Sequence, residues 1–328
     1  MSDTFTKDAL QEFNTLHRGN LTRKDIIPRL LTAPDMAGEI LRIHRTGLPP
    51  RCSTGWVTVD KHYTVAPGQW TLVTGIPGHG KSEWLDALIV NLAEAGDWHF
   101  AIYSPENFPQ AQHAAKLIEK HLRKPFGRGP NERRSETELI DATAWMGLRF
   151  GFIEQSQEQP NDIDEILRNC WKWLRFYGET RKYRGIVLDP WNELEHQRPR
   201  DMSETEYISL TLAKLRRFAR TMNCHIWVVA HPKILQRDRD GKRPIPTPYD
   251  ISGSAHWFNK SDNCITIWRD VNADTQVVQV HVQKIRFKNI GRPGLVELRY
   301  DKVTGRYFDM SKPSPRTEWY REREPGED

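Results

Sequence analysis

The run Gly75-Ile76-Pro77-Gly78-His79-Gly80-Lys81-Ser82 fits the pattern Gly-x4-Gly-Lys-[Ser/Thr]; it follows the apolar Trp70-Thr71-Leu72-Val73 and precedes a helix-like stretch. Strand, loop and helix in that order form the setting in which such a loop wraps phosphate, and they commit this part of the chain to an α/β architecture. Glycines at 75, 78 and 80 let the backbone turn its N–H groups inward, where a Cβ would collide. The first turn of the following helix adds partial positive charge. Lys81 is suited to the outer phosphates and Ser82 to Mg²⁺. Residues 75–82 are therefore the expected binding loop for a nucleoside triphosphate such as ATP, with Mg²⁺ alongside. A Gly-rich turn that binds nothing is disfavoured by the flanking segments.

From about 51 to 311 strands and helices alternate. Leu72-Val73-Thr74 precedes a helix over roughly 82–95, and His99-Phe100-Ala101-Ile102-Tyr103 reads as the next strand. The Asp162/Glu165 spacing of a capping box opens a helix that runs to about Tyr177, and the strand Gly185-Ile186-Val187-Leu188-Asp189 follows. Ser203 and Glu206 form a second such box, before a helix with Ile208, Leu212, Leu215, Ala219 and Met222 on one stripe. The strand Cys224–Ala230 comes next. Strands that are apolar almost throughout, with helices between them, predict a mainly parallel sheet covered on both faces. After about 263 the strands Cys264–Trp268, Val277–Phe287 and Leu295–Tyr300 have no long helix between them, so they are expected as antiparallel additions at one edge. Residues 1–50 read as a short, polar, helical segment or linker closed by Pro49-Pro50, and 312–328 as a charged, disordered tail.

Composition narrows the classes. Charged residues make up 28% of the chain, and no apolar run approaches the ~20 residues of a membrane helix, so no membrane partner is expected. The N-terminal Met-Ser-Asp-Thr-Phe-Thr-Lys-Asp lacks the basic-then-apolar layout of a secretory signal. Cys52, Cys170, Cys224 and Cys264 are scattered without a C-x-x-C pair, which argues against zinc and a disulfide framework and suits a reducing cytoplasm. A cytoplasmic setting, bacterial or encoded by phage or plasmid, is expected, not a secreted one. The net charge of +5 is mild and does not by itself point to nucleic acid.

Three polar residues end successive strands, where an α/β sheet gathers its ligand-binding groups. Glu106, just past the strand after the phosphate loop, is the expected base for an attacking water. Asp189 ends four apolar residues and is the expected Mg²⁺ acid, with Glu193 as the nearest rival carboxylate. His231 ends Trp227-Val228-Val229-Ala230-His231 and is a candidate γ-phosphate sensor, though a lone His after a strand is more often structural. Directly after it, residues 233–243 hold five basic residues (Lys233, Arg237, Arg239, Lys242, Arg243) against two acids, with an Asp-Gly pair that marks a loop. A solvated charged loop is the plain reading; a loop gripping the phosphates of single-stranded DNA is the sharper one. Residues 197–206 are a weaker second candidate. Lys284 and Arg286 share one face of a strand and could neutralise phosphate charge, within this chain or for a neighbouring subunit.

Taken together, these segments resemble the helicase domain of the Twinkle and phage primase–helicase group, related to bacterial DnaB-type replicative helicases. The resemblance spans roughly 55–310. It rests on the phosphate loop, Ser104-Pro105-Glu106, Val187–Glu193, Arg216–Lys233, Gly253–Asn263 and Gln283–Lys288. It implies a RecA-like core, Lys81 and Ser82 on triphosphate and Mg²⁺, Glu106 as catalytic base and Asp189 as the Walker B acid. It further implies His231 as γ-phosphate sensor and Lys284 with Arg286 acting across a subunit interface. A six-membered homo-oligomeric ring with single-stranded DNA at its centre is implied too, together with replication proteins such as a primase, polymerase or loader as partners. Relatives usually carry a primase or other folded domain before the linker, and about 50 residues precede the ATPase here, so priming is not expected. Two alternatives share the same loop and acids. One is a RecA-like ATPase that binds DNA without unwinding it. The other is a small-molecule kinase, disfavoured because no arginine-rich lid segment is apparent.

Overall fold

The computed structural model describes residues 31–48, 51–127, 133–154, 162–178, 182–236, 243–253, 255–273 and 275–311. The chain divides into two separately packed units, Met1–Pro50 and Arg51–Asp328. In the first, a 3₁₀ turn (Pro34–Met36) leads into α1 (Ala37–Thr46), on which Glu39 and Arg42 pair at 2.6 Å and Ile40 and Leu41 are exposed. The expected tail 312–328 and the start of the N-terminal segment lie outside the described residues.

The second unit is built on a sheet that has nine strands among the described residues, in the order β3-β2-β4-β5-β1-β6-β7-β8-β9. β1 (Trp70–Thr74) lies between β5 (His225–Val229) and β6 (Asn263–Trp268) and is parallel to both. β4 (Tyr183–Leu188), β2 (Trp98–Tyr103) and β3 (Phe150–Phe152) continue the parallel half. β7 (Val277–Ile285), β8 (Gly294–Asp301) and β9 (Arg306–Asp309) add antiparallel strands beyond β6. The parallel strands read as nearly continuous apolar runs because both faces are covered. Leu72, Ile186, Leu188, Ile226 and Val228 point to one face, and Val73, Val187, Trp227 and Val229 to the other.

On the first face sit α6 (Ile163–Gly178) and α7 (Glu204–Thr221), contributing Ile166, Leu167, Leu174, Leu212 and Leu215. The second face takes α3 (Lys81–Ala95), α4 (Gln110–Leu122) and α5 (Glu136–Gly147), with Trp84, Leu88, Leu117 and Met146 against the sheet. Short helices α2 (Val57–Asp60) and α8 (His256–Lys260) complete the unit. Asp162 caps α6, its Oδ1 accepting from the N–H groups of Asp164 and Glu165 at 2.8 and 2.9 Å. Ser203 and Glu206 close the reciprocal box expected at the start of α7.

Some elements escaped the sequence pattern. α4, α5 and β3 occupy a stretch without a predicted element, and β9 falls after a turn where none was expected. β7 stops at Ile285, short of the expected Phe287, after a register shift between Cys264 and Ile265. On the phosphate-loop helix α3, Asp86 forms an ion pair with His113 of α4 at 2.9 Å, both side chains almost wholly buried.

Candidate nucleotide site

The strand ends bring together what the chain keeps far apart. β1 delivers the phosphate loop, β2 ends three residues before Glu106, β4 ends beside Asp189 and β5 ends two before His231. Gly75 has φ +148°, and a Cβ there would lie 2.3 Å from the carbonyl oxygen of Ile267. Gly80, at φ +92°, turns the chain into α3. Both conformations are ones that L side chains rarely adopt. On the outer side of the loop, Arg269 donates from Nη2 to the Gly78 carbonyl at 2.9 Å, and its N–H donates to His79 Nδ1 at 3.2 Å.

Lys81 is buried, and its Nζ donates to the carbonyls of Gly75 and Ile76 at 3.0 and 3.3 Å. Burial pulls its pKa down to about 8, against the opposing charges of Asp189 and Glu106, so it stays protonated at neutral pH. The buried Asp189 carboxyl is pushed up to about 6, chiefly by burial, with the Ser82 hydroxyl holding it down through a hydrogen bond. Glu106 is exposed; partial burial raises its pKa, Glu193 adds to the rise and Lys81 opposes it. His231 is driven to about 4 by burial and then by Lys81, and is therefore neutral near pH 7. His79 falls to about 4 as well, through burial, Arg269, Lys81 and Arg243. These mutual influences gather Glu106, Asp189 and His231 about one ammonium group.

Two features fit a triphosphate with Mg²⁺. The Oδ1 atom of Asp189 is buried without a hydrogen-bond partner among the described residues, and it belongs to the carboxylate that Ser82 touches. The Lys81 ammonium is desolvated and, among the described residues, donates to its own loop's carbonyls, an arrangement that phosphate oxygens would improve. Ile76 and Pro77 contribute backbone to the same loop.

Lys284 and Arg286 lie elsewhere. Lys284 pairs with Cys264, which is level with Leu72, and Arg286 N–H donates to Asp262 O, whose own N–H donates to Trp70 O. They sit beside the start of β1, roughly 10–17 Å of strand below Gly75. There Lys284 Nζ donates to the carbonyls of Phe258 and Ser261, Arg286 Nη2 to those of Asn259 and Ser261, and Arg286 Nε meets buried Asp262 at 2.8 Å. Their shared face agrees with the alternation of the strand. They are not brought to this chain's own phosphate loop.

Of the basic loop, Arg237, Arg239 and Lys242 lie outside the described residues. Lys233 is exposed and held by its N–H on Asp250 O at 2.7 Å, with Pro232 bridging Ile251. Exposed Arg243 returns close enough for its charge to act on His79. Arg269 and Asn192 were not foreseen. Asn192 Oδ1 accepts from the N–H of His231 at 3.0 Å, fixing the end of β5 to the segment after Asp189. Neither carries a spacing signal, because each acts through tertiary contact.

Sheet order, phosphate loop and the acids at the strand ends define a P-loop ATPase core of RecA-like type. Over 265 residues the chain is 44% identical to a protein named Twinkle homolog protein, chloroplastic/mitochondrial, from Arabidopsis thaliana. That match covers 78% of this chain and 36% of the relative, so the chain spans little more than a third of the relative's length. A solved DnaB-like replicative helicase, described with its interactions with primase, superposes with a TM-score of 0.69 at 16% identity, covering 94% of this chain and 77% of that one. A solved ATPase domain gives 0.68 at 17% identity, covering 85% and 99%. At such identities these structures speak for fold alone. No family model matches the chain. Over the matched residues the chain is similar to the Twinkle homolog, and it shares its fold with the DnaB-like helicase and the ATPase domain.

The expected cytoplasmic setting, bacterial or on a mobile element, is corrected by the plant relative, whose name gives chloroplast and mitochondrion. Scattered cysteines and a high charge content suit any reducing compartment, an organelle included, so composition could not tell these apart.

Proposed function

We propose that this chain is the ATP-hydrolysing motor of a replicative DNA helicase working in an organelle. It forms a homo-oligomeric ring, hexameric as in the resemblance above, and moves along single-stranded DNA. The observation that carries this reading is the position of His231. It shares the electrostatic surroundings of Lys81, is tied to the segment after Asp189 through Asn192, and stands two residues before the basic loop.

Lys81 and the N–H groups of residues 75–82 hold the triphosphate, while Ser82 and Asp189 hold Mg²⁺, which supplies charge neutralisation at the phosphates. Glu106 orients a water and takes its proton as the oxygen attacks the γ-phosphorus and the bond to the β–γ bridging oxygen breaks, releasing ADP; its raised pKa makes it a stronger base than an ordinary carboxylate. His231, uncharged, donates a hydrogen bond to the γ-phosphate and loses that partner when phosphate departs. Lys233, Arg237, Arg239, Lys242 and Arg243, which follow it in sequence, hold the strand and shift with it. Lys284 and Arg286 act on a neighbouring subunit's nucleotide. Their place at the far rim of this chain's sheet supports that reading. Replication proteins, among them a primase, a polymerase or a loader, are the expected partners.

The test is ATP hydrolysis with and without oligodeoxythymidylate, paired with displacement of a labelled strand from a fork and electron micrographs with an ATP analogue. Strand-stimulated turnover, displacement and rings, with turnover lost in Lys81→Ala, are expected. Stimulated turnover without displacement would instead identify a DNA-binding ATPase that does not unwind.

A further inference from the structure

Between the segment after β4 and the turn at Ile251-Ser252 lies a cavity of about 310 Å³, lined by none of the residues assigned to the nucleotide. Its volume falls at the low end of the range for small-ligand sites, ~300–1,000 Å³. Trp191, His196 and Tyr207 supply aromatic walls: the His196 ring lies 5.0 Å from that of Trp191 and meets Tyr207 edge to face at 5.6 Å. Trp191 is locked from behind by Trp257, edge to face at 5.0 Å. Among the described residues, the charged ones in the lining are Arg198 and Glu204, one of each sign. A phosphate would gain nothing net from such a wall. A flat, uncharged heteroaromatic ring with hydrogen-bonding edges gains both stacking and polar contacts.

The cavity's position narrows the occupant. Ile251 and Ser252 form one wall, and they directly follow Asp250, whose carbonyl holds Lys233 at the root of the basic loop. Asn192, on another wall, holds the N–H of His231. A strand with a phosphate on Lys233, at the root of that loop, therefore passes this opening with its bases within reach.

We propose that this cavity receives a base of the single strand, stacked against His196 and Tyr207. The proposal rests on the reading of the chain as a motor on single-stranded DNA. It makes the grip depend on the bases as well as on the backbone.

The experiment compares an oligodeoxythymidylate with an abasic oligomer of equal length, each binding the 328-residue chain in the presence of a nonhydrolysable ATP analogue. Wild type is expected to favour the thymidylate by about tenfold. His196→Ala, on an exposed loop, and Tyr207→Leu are each expected to abolish that preference while leaving abasic affinity and its salt dependence unchanged. Equal wild-type affinity for the two oligomers overturns the base site and spares the motor. Variants that weaken both oligomers alike also overturn it, because a loop-packing role would do the same. Binding of neither oligomer overturns the motor reading and the base site together.

Discussion

Replacing His113 by leucine should be far more damaging than the modest size of the contact suggests. His113 Nε2 and Asp86 Oδ1 are 2.9 Å apart, with side chains 2% and 3% exposed. The other Asp86 oxygen has no hydrogen-bond partner among the described residues. Burial raises the Asp86 pKa, and His113 with Lys120 and Lys116 more than cancels this, leaving it below 3.8. Burial likewise lowers His113, and Asp86 reverses the shift, leaving it above 6.5. Removing the imidazole strands a carboxylate in the interior, at a cost of about 3–5 kcal/mol. A domain's whole stability is only ~5–15 kcal/mol. Replacing both residues by leucine removes the stranded charge and should come close to neutral.

The sign with pH follows. A raised His113 contributes stability that is full below 6.5 and lost as pH rises through its folded pKa; a depressed Asp86 contributes above 3.8 and loses it as pH falls through its own. The penalty of the single variant should thus be greatest near pH 5–6 and shrink at pH 9. Urea unfolding followed by tryptophan fluorescence reads all three proteins. A single-variant cost under about 1 kcal/mol at pH 6, or a double variant as damaged as the single, would refute the reasoning.

Glu106→Gln should bind ATP normally yet turn it over at least about 100-fold more slowly, measured by calorimetry and phosphate release; normal turnover would shift the role to Glu193. Gly75→Ala should weaken nucleotide binding and lower the unfolding midpoint, since its Cβ would meet a backbone carbonyl that cannot swing away. Mixing Arg286→Ala with Glu106→Gln should restore part of the ATPase activity, because some junctions in mixed assemblies are intact; no recovery at any ratio argues against a shared site. Neutralising Lys233, Arg237, Arg239, Lys242 and Arg243 together should flatten the salt dependence of single-strand binding, and an unchanged slope moves the DNA contact elsewhere.

The parallel half of the sheet was readable because a phosphate loop dictates its own flanks and because strands buried on both faces leave runs that are apolar almost throughout. Glu106, Asp189 and His231 could be nominated from their places at strand ends. The stretch from 104 to 152 was opaque for different reasons. β3 has three residues, too few for any periodicity, and α4 is polar enough to pass for surface. α5 did announce itself: Ser135 and Glu138 form the same reciprocal cap that marked α7. Asn192, Arg269 and the Asp86–His113 pair were invisible, since their partners are 27 or more positions away and no spacing rule links them. The compartment was misread because composition reports redox conditions and not address.

The phosphate loop and the Lys284/Arg286 pair occupy opposite rims of one sheet. If those cations serve another copy, a lone molecule holds half of two reaction centres and the whole of none. Turnover per molecule should then decline on dilution, below the concentration at which neighbours part, even with ATP and DNA saturating. Catalytic competence would belong to the seam between copies, and a single poisoned copy would silence two seams at once.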